Sequence, residues 1–163
     1  APVIYYGDEQ GFVGAGNDQL AREDMFASRT AVYNAIDLIG TDATTAEANF
    51  GAANPLFQTI ARLARLRAAH PALRKGRQIV RHYEQTEGLF AVTRKDEASG
   101  EEVLIAFNTA PAARSGNIAL GYDARRFTAL AGACPAAVTA PGSARFDLPA
   151  FGYAVCKLET RAQ

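Results

Sequence analysis

The apolar positions of this chain change period twice. From Val3 to Tyr6 they are continuous: a β-branched and aromatic run, closed by Gly7. A run without alternation predicts a parallel strand buried on both faces. From Arg29 to Ile39 the spacing is helical, with Val32, Ile36 and Ile39 near one face and Gly40 placed as a C′ stop. Thr41 to Gly51 is small and polar, the pattern of a loop or a weak helix. Asn54-Pro55 then starts a second helix, with an N-cap followed by proline at the first helical position. Leu56, Ile60, Leu63 and Leu66 carry its stripe to His70, where Pro71 ends it.

From Gln78 onward the period falls to two. Strands are predicted over Gln78 to Tyr83, Leu89 to Arg94, Val103 to Asn108, Ser115 to Leu120, Arg126 to Leu130, Ala136 to Ala140, Arg145 to Leu148 and Tyr153 to Leu158. Turn pairs such as Glu87-Gly88 and Ser99-Gly100 separate them. Short strands at this spacing predict an antiparallel sandwich. The chain therefore reads as an α/β stretch followed by an all-β domain, with the boundary near Gly76. A single parallel strand cannot bury itself, so the partners of Val3 to Tyr6 are expected upstream of Ala1.

Composition fits a packed protein: 48% of the 163 residues are hydrophobic and 21% are charged. Seventeen basic and seventeen acidic residues cancel. No basic run exists to make a patch for nucleic acid or an anionic membrane surface. No apolar run approaches the roughly 20 residues of a membrane span. A neutral ligand such as a sugar needs no net field.

Candidate chemistry sits in the loop after the first strand. Its glycines at 11, 14 and 16 do not have phosphate-cradle spacing, and no Lys-Ser or Lys-Thr follows them. They read as a surface loop. Asp8 and Glu9 are adjacent and would point apart in a strand, which makes them a poor acid and nucleophile pair. They are expected to order the loop by hydrogen bonds. His70, with Pro71 behind it and no second histidine nearby, is expected to cap a helix end. Cys134 and Cys156 are either two buried thiols or one disulfide in an exported protein. Cys156 lies on the face of its strand opposite Tyr153 and Val155, and Cys134 sits in a turn after a neighbouring strand. If those elements are adjacent, a disulfide closing a loop of roughly 20 residues is geometrically allowed.

Three groups of motifs carry a resemblance. P-x-I-Y-Y-G-D-E, from Pro2, followed by G-N-D-x-x-x-R, from Gly16, resembles the last barrel strand and its loop in the α-amylase family, glycoside hydrolase family 13. L-x-x-L-R-x-x-H-P-A-L-x-x-G, Leu63 to Gly76, resembles the last barrel helix and the turn leaving the barrel. F-A-V-x-R, V-L-I-A-F-N and F-D-L-P-A-F-G-Y-A-V resemble the β-domain that follows. The resemblance implies the C-terminal part of a (β/α)8 TIM barrel over residues 1–76, comprising the last βα segment with a substrate loop. It implies an antiparallel Greek-key β-sandwich over 77–163.

It further implies a retaining hydrolase of α-glucans, starch and malto-oligosaccharides, whose catalytic carboxylates lie upstream, with none in this chain. Asp18 and Arg22 match the family residues that contact a glucose unit at an outer donor-side subsite. A carboxylate and a guanidinium suit vicinal hydroxyls through charge-assisted hydrogen bonds. The alternative is that the two, four apart, only pair with each other. No cofactor is expected in this chain. Calcium is common in the family, with ligands mostly upstream. The expected partners are the glucan and the N-terminal barrel portion, and the expected location is secreted or periplasmic. Gln19-Leu20, where proline is frequent, and the extra stretch from Arg29 to Thr45 depart from the family pattern. The competing reading is a non-catalytic β-sandwich module for glucan binding or interdomain packing. The absence of tryptophan and the few tyrosines weigh against it.

Overall fold

The computed structural model describes residues 3–120, 126–136 and 142–159. It divides into two compact units, Ala1–Arg65 and Leu66–Gln163, so the division falls within a helix and earlier than Gly76.

The first unit is mostly loop. Residues Val3 to Tyr6 do not form a strand: their side chains are 83%, 52%, 75% and 51% exposed. A strand exists through its ladder, and no other strand is found among the described residues of this unit. The chain turns instead into a single 3-10 turn, Asp8–Gln10, with the Tyr5 N–H donating to Asp8 Oδ2 at 2.7 Å. Gly11 follows at φ +83, and a Cβ there would lie 2.7 Å from the Ile39 backbone, whose N–H donates to Gly11 O at 2.9 Å. Only glycine permits both this φ and that approach.

The expected helix from Arg29 to Ile39 shrinks to α1, Ala31–Asn34. Tertiary bonds override the spacing. Leu38 is buried and donates its N–H to Ala43 O at 2.8 Å, while Val32 and Ile39 stay exposed. Continuing the helix would have broken the Leu38 and Ile39 pairings. Thr41 to Gly51 is loop, pinned by the buried Thr45, whose hydroxyl donates to Asn34 Oδ1 at 2.6 Å. Helix α2, Pro55–Ala69, starts where the Asn-Pro pair places it, and Asn54 Oδ1 accepts the Leu56 N–H at 2.8 Å. None of its residues is fully buried, and the expected stripe is at best half-covered.

In the second unit, α3 (Pro71–Lys75) precedes seven strands among the described residues: β1 Arg77–His82, β2 Leu89–Lys95, β3 Glu102–Asn108, β4 Arg114–Ala119, β5 Arg126–Gly132, β6 Ser143–Leu148 and β7 Tyr153–Glu159. These match the strands expected from periodicity within a residue or two. The exception is Ala136 to Ala140: Ala136 is not in a strand, and residues 137–140 lie outside the described residues. Strands order as β1-β2-β3-β7-β5 in one antiparallel sheet and β4-β6 in another. Inward residues of both sheets share one core: Leu89, Leu104 and Cys156 meet Ile118, Phe146 and Leu148, all essentially without solvent contact. Phe127 and Phe146 meet edge to face, with ring centroids 6.0 Å apart.

The opposite face of the large sheet is also covered at one end. Val103 and Val155 are buried with Ala72 of α3, and Leu66 and Leu73 pack beside them. Packing of Leu66 on this face explains why the end of α2 belongs with the sheet. Cys134 and Cys156 are joined by a disulfide.

Candidate functional site

The loop 14–23 is a closed structure built from local bonds. Asn17 Oδ1 accepts the N–H groups of Gln19 and Leu20, each at 3.1 Å. Asn17 O accepts the Ala21 N–H at 3.0 Å, and Leu20 O accepts the Ala15 N–H at 3.3 Å. An asparagine in this role reproduces a backbone turn with its side chain. At the neck of the loop, Gly14 donates its N–H to Glu23 Oε2 at 3.2 Å. The next turn is tied down by Tyr6, whose hydroxyl accepts the Met25 N–H at 3.0 Å.

This loop brings Asp18 and Arg22 together. Arg22 Nη2 lies 3.4 Å from Asp18 Oδ2, and Arg22 Nε donates to the Asp18 carbonyl at 3.2 Å. The side chains are 72% and 83% exposed for Arg22 and Asp18. So exposed a pair contributes little to stability. What it provides is a carboxylate and a guanidinium held in one place and open to a ligand. Arg22 also lines a cleft of roughly 400 Å³ with Tyr5, Tyr6, Asp8, Phe12 and Glu23. Asp8 and Glu9 open onto different hollows: Asp8 onto this cleft, and Glu9 onto an apolar one beside Phe57 and Ile60 of α2.

His70 does not cap a helix end with its ring. Pro71 breaks the chain direction, and the imidazole Nδ1 sits 2.7 Å from Glu101 Oε1. Glu101 Oε2 accepts the Ala72 N–H at 3.0 Å, and Lys157 Nζ stands 3.6 Å from Oε1. Glu101 therefore ties the turn between α2 and α3 to the sheet. Burial pushes its carboxyl pKa up, but the bonds from His70 and Ala72, with the charges of His70 and Lys157, outweigh burial and hold it below the ordinary 4.5. A depressed folded-state pKa stabilises the fold above the ordinary value, and that stability is lost as pH falls below it. Glu101→Gln is expected to lower unfolding free energy at pH 7 by about 1–3 kcal/mol and to flatten its fall on acidification. Urea titrations of both proteins at pH 7 and pH 3.5 check this. Parallel pH profiles would remove Glu101 from the acid response. The neighbouring Glu102 responds oppositely, because burial raises its pKa more than Arg81 and Lys95 lower it.

Sequence reasoning missed the partnerships of Glu101 and Glu23. Among the described residues, no group of three or more His, Cys, Asp or Glu side chains is placed to hold a metal ion. No helix among them is long and apolar enough to cross a membrane.

The fold is thus an antiparallel β-domain of two sheets, preceded by helices and a glycine-rich loop. No protein-family profile matches the chain. Over 131 residues, 80% of the chain, it is 48% identical to an alpha-amylase of Streptomyces lividans, and the match spans 14% of that enzyme. The debranching enzyme of Nostoc punctiforme aligns with 64% of this chain and 21% of its own, at 27% identity and a TM-score of 0.52. The cyclomaltodextrin glucanotransferase CldA covers 99% of this chain with 29% of its own, at 20% identity and a TM-score of 0.63, a likeness of fold alone. By sequence and fold the chain belongs to the α-amylase family of glycoside hydrolases and related enzymes, as the counterpart of a small part of them.

Proposed function

We propose that this chain is the C-terminal part of an α-amylase-like glycoside hydrolase. Its substrates are α-glucans, starch and malto-oligosaccharides, and its mechanism is retaining. Residues 1–76 supply the last βα segment of the barrel with its substrate loop, and residues 77–163 supply the Greek-key β-domain. The catalytic carboxylates, and most of any calcium ligands, lie upstream of Ala1, and the enzyme is secreted or periplasmic.

The observation that carries this reading is the 48% identity to an alpha-amylase, in a chain whose glycine-rich loop displays the Asp18–Arg22 pair. The exposed run from Val3 to Tyr6 supports it, because β-branched and aromatic side chains left in water are what a barrel strand without neighbours presents. A maltotriose complex of the similarly folded AmyP supports the glucan class. Disulfide bonding of Cys134 to Cys156 accords with an exported enzyme.

Retaining chemistry needs two carboxyl groups about 5 Å apart across the scissile bond. Asp8 and Glu9 open onto separate hollows and do not form such a pair. The chain alone is expected to release no reducing sugar from soluble starch. In the intact enzyme, Asp18→Ala or Arg22→Ala is expected to reduce kcat/KM on long malto-oligosaccharides by roughly tenfold to a hundredfold, the effect of about 1.5–3 kcal/mol from one charge-assisted hydrogen bond. Short substrates that do not reach the pair are expected to lose little, since remote binding energy serves to hold the reacting unit. The double variant is expected to be less than additive, because each side chain orients the other. An equal loss at all lengths would indicate a misfolded loop. No loss at any length would reduce the pair to a surface ion pair.

A further inference from the structure

We infer that Glu23 is a positioning residue for the Asp18–Arg22 pair, acting as the clasp of the loop that carries it. The inference rests on the sugar-contacting reading of that pair. The acidic side chains of this loop differ in burial. Asp18 and Asp24 are exposed, whereas Glu23 is half-buried. Its carboxylate faces the cleft wall and accepts the Gly14 N–H, nine residues back.

That bond closes the neck of the loop. Inside it, the bonds from Asn17 and the Ala15 to Leu20 pairing set the path of the turn. None of these inner bonds fixes the loop to what precedes Gly14. Gly14 itself has φ +73, and a Cβ there would lie 2.8 Å from Ala21 Cβ, so the two sides of the neck are already at contact distance.

The Asp18–Arg22 pair cannot hold this geometry by itself. Its side chains are 72% and 83% exposed, and an ion pair in that setting is screened and weak. The partly buried bond at the neck is therefore the firmer restraint. Glu23 also follows Arg22 directly, so a change in the neck shifts the backbone that aims the guanidinium. Displacement of a binding group by about 1 Å is enough for a large loss of rate when the group holds a substrate in register.

The test uses the full-length enzyme that carries this chain. Glu23→Ala removes the acceptor, and Glu23→Gln keeps an acceptor oxygen without the charge. Glu23→Ala is expected to lower kcat/KM by about tenfold on long malto-oligosaccharides, chiefly through KM, and to leave short ones nearly unchanged. Glu23→Gln is expected to restore most of the loss. A merely structural role would not produce dependence on substrate length. Amide hydrogen exchange at Gly14 reports the clasp directly, and its protection is expected to fall in Glu23→Ala and return in Glu23→Gln. If Asp18→Ala and Arg22→Ala show the length dependence and Glu23→Ala does not, the clasp is overturned. If none of the three variants shows it, the sugar-contacting reading beneath the inference falls instead. Unchanged Gly14 exchange in Glu23→Ala would also overturn the clasp.

Discussion

Replacing Asn108 with alanine is expected to lower the unfolding free energy of the β-domain by about 3 kcal/mol. Asn108 ends β3 and is only 2% exposed. Its side chain holds two separate connections in place. Nδ2 donates to Ala112 O at 2.8 Å and to Pro149 O at 2.7 Å, with a longer contact to Leu148 O at 3.4 Å. Oδ1 accepts the N–H of the fully buried Ala110 at 3.0 Å. One amide thus joins the turn after β3 to the turn between β6 and β7. Truncation leaves the buried Ala110 N–H without its acceptor, and an unmet buried group costs more than the bond it made contributes, whereas the Pro149 carbonyl keeps the Gly152 N–H at 2.9 Å. Asn108→Asp is expected to be no milder: it keeps an acceptor for Ala110 but turns a carboxylate against backbone carbonyls. Denaturant unfolding of the chain, read by far-UV circular dichroism, measures both. A loss under about 1 kcal/mol would mean that water takes over the lost bonds.

Removing the Cys134–Cys156 disulfide is expected to cost a similar amount, about 3 kcal/mol in the loop-closure picture for a crosslink of this length. The bond joins residues separated by 22 in sequence, one after β5 and one within β7. Its two ends are not equivalent. Cys156 is fully buried, paired across the ladders with Leu104 and Ala129, while Cys134 packs at the margin of the core. Cys134→Ser and Cys156→Ser both lose the crosslink, and Cys156→Ser also buries a hydroxyl among apolar side chains. The second is therefore expected to be worse by about 1–3 kcal/mol. Unfolding with and without reductant, beside the two variants, separates the terms. Two reactive thiols in the denatured, unreduced protein would remove the crosslink as a source of this stability.

Much of the β-domain was legible in the sequence because each strand has one face committed to a single core. In β6 the alternation of Ala144, Phe146 and Leu148 with exposed neighbours survives intact in the structure. It is blurred in β3, where Val103 and Leu104 are both buried. There α3 covers the second face, and periodicity cannot report a cover supplied from elsewhere in the chain. In the candidate site, Asp18 and Arg22 could be picked out because they match the G-N-D-x-x-x-R motif of the family the chain resembles, a motif short enough to be read along the chain. Glu23 could not, since the partner that distinguishes it from Asp24 is the Gly14 amide across the neck of a loop. Glu101 is the same case at longer range: His70 and Pro71 announce a break, but nothing near them points to a carboxylate 31 residues away.

By itself, then, the sequence determined the elements whose causes are short-range: the Asn-Pro start of α2, the break at Pro71, the strands and their inward faces. Tertiary structure decided whatever needed a partner. Val3 to Tyr6 has the composition of a buried strand and is exposed, because the described chain offers no ladder to it. The helical spacing from Arg29 to Ile39 yields only a four-residue helix, because Leu38 and Ile39 bond elsewhere. The physical reason is common to both. Propensity and periodicity bias a segment by a fraction of a kcal/mol per residue, whereas buried hydrogen bonds and the availability of a packing surface act at the level of whole kcal/mol, and those are set by residues distant in the chain.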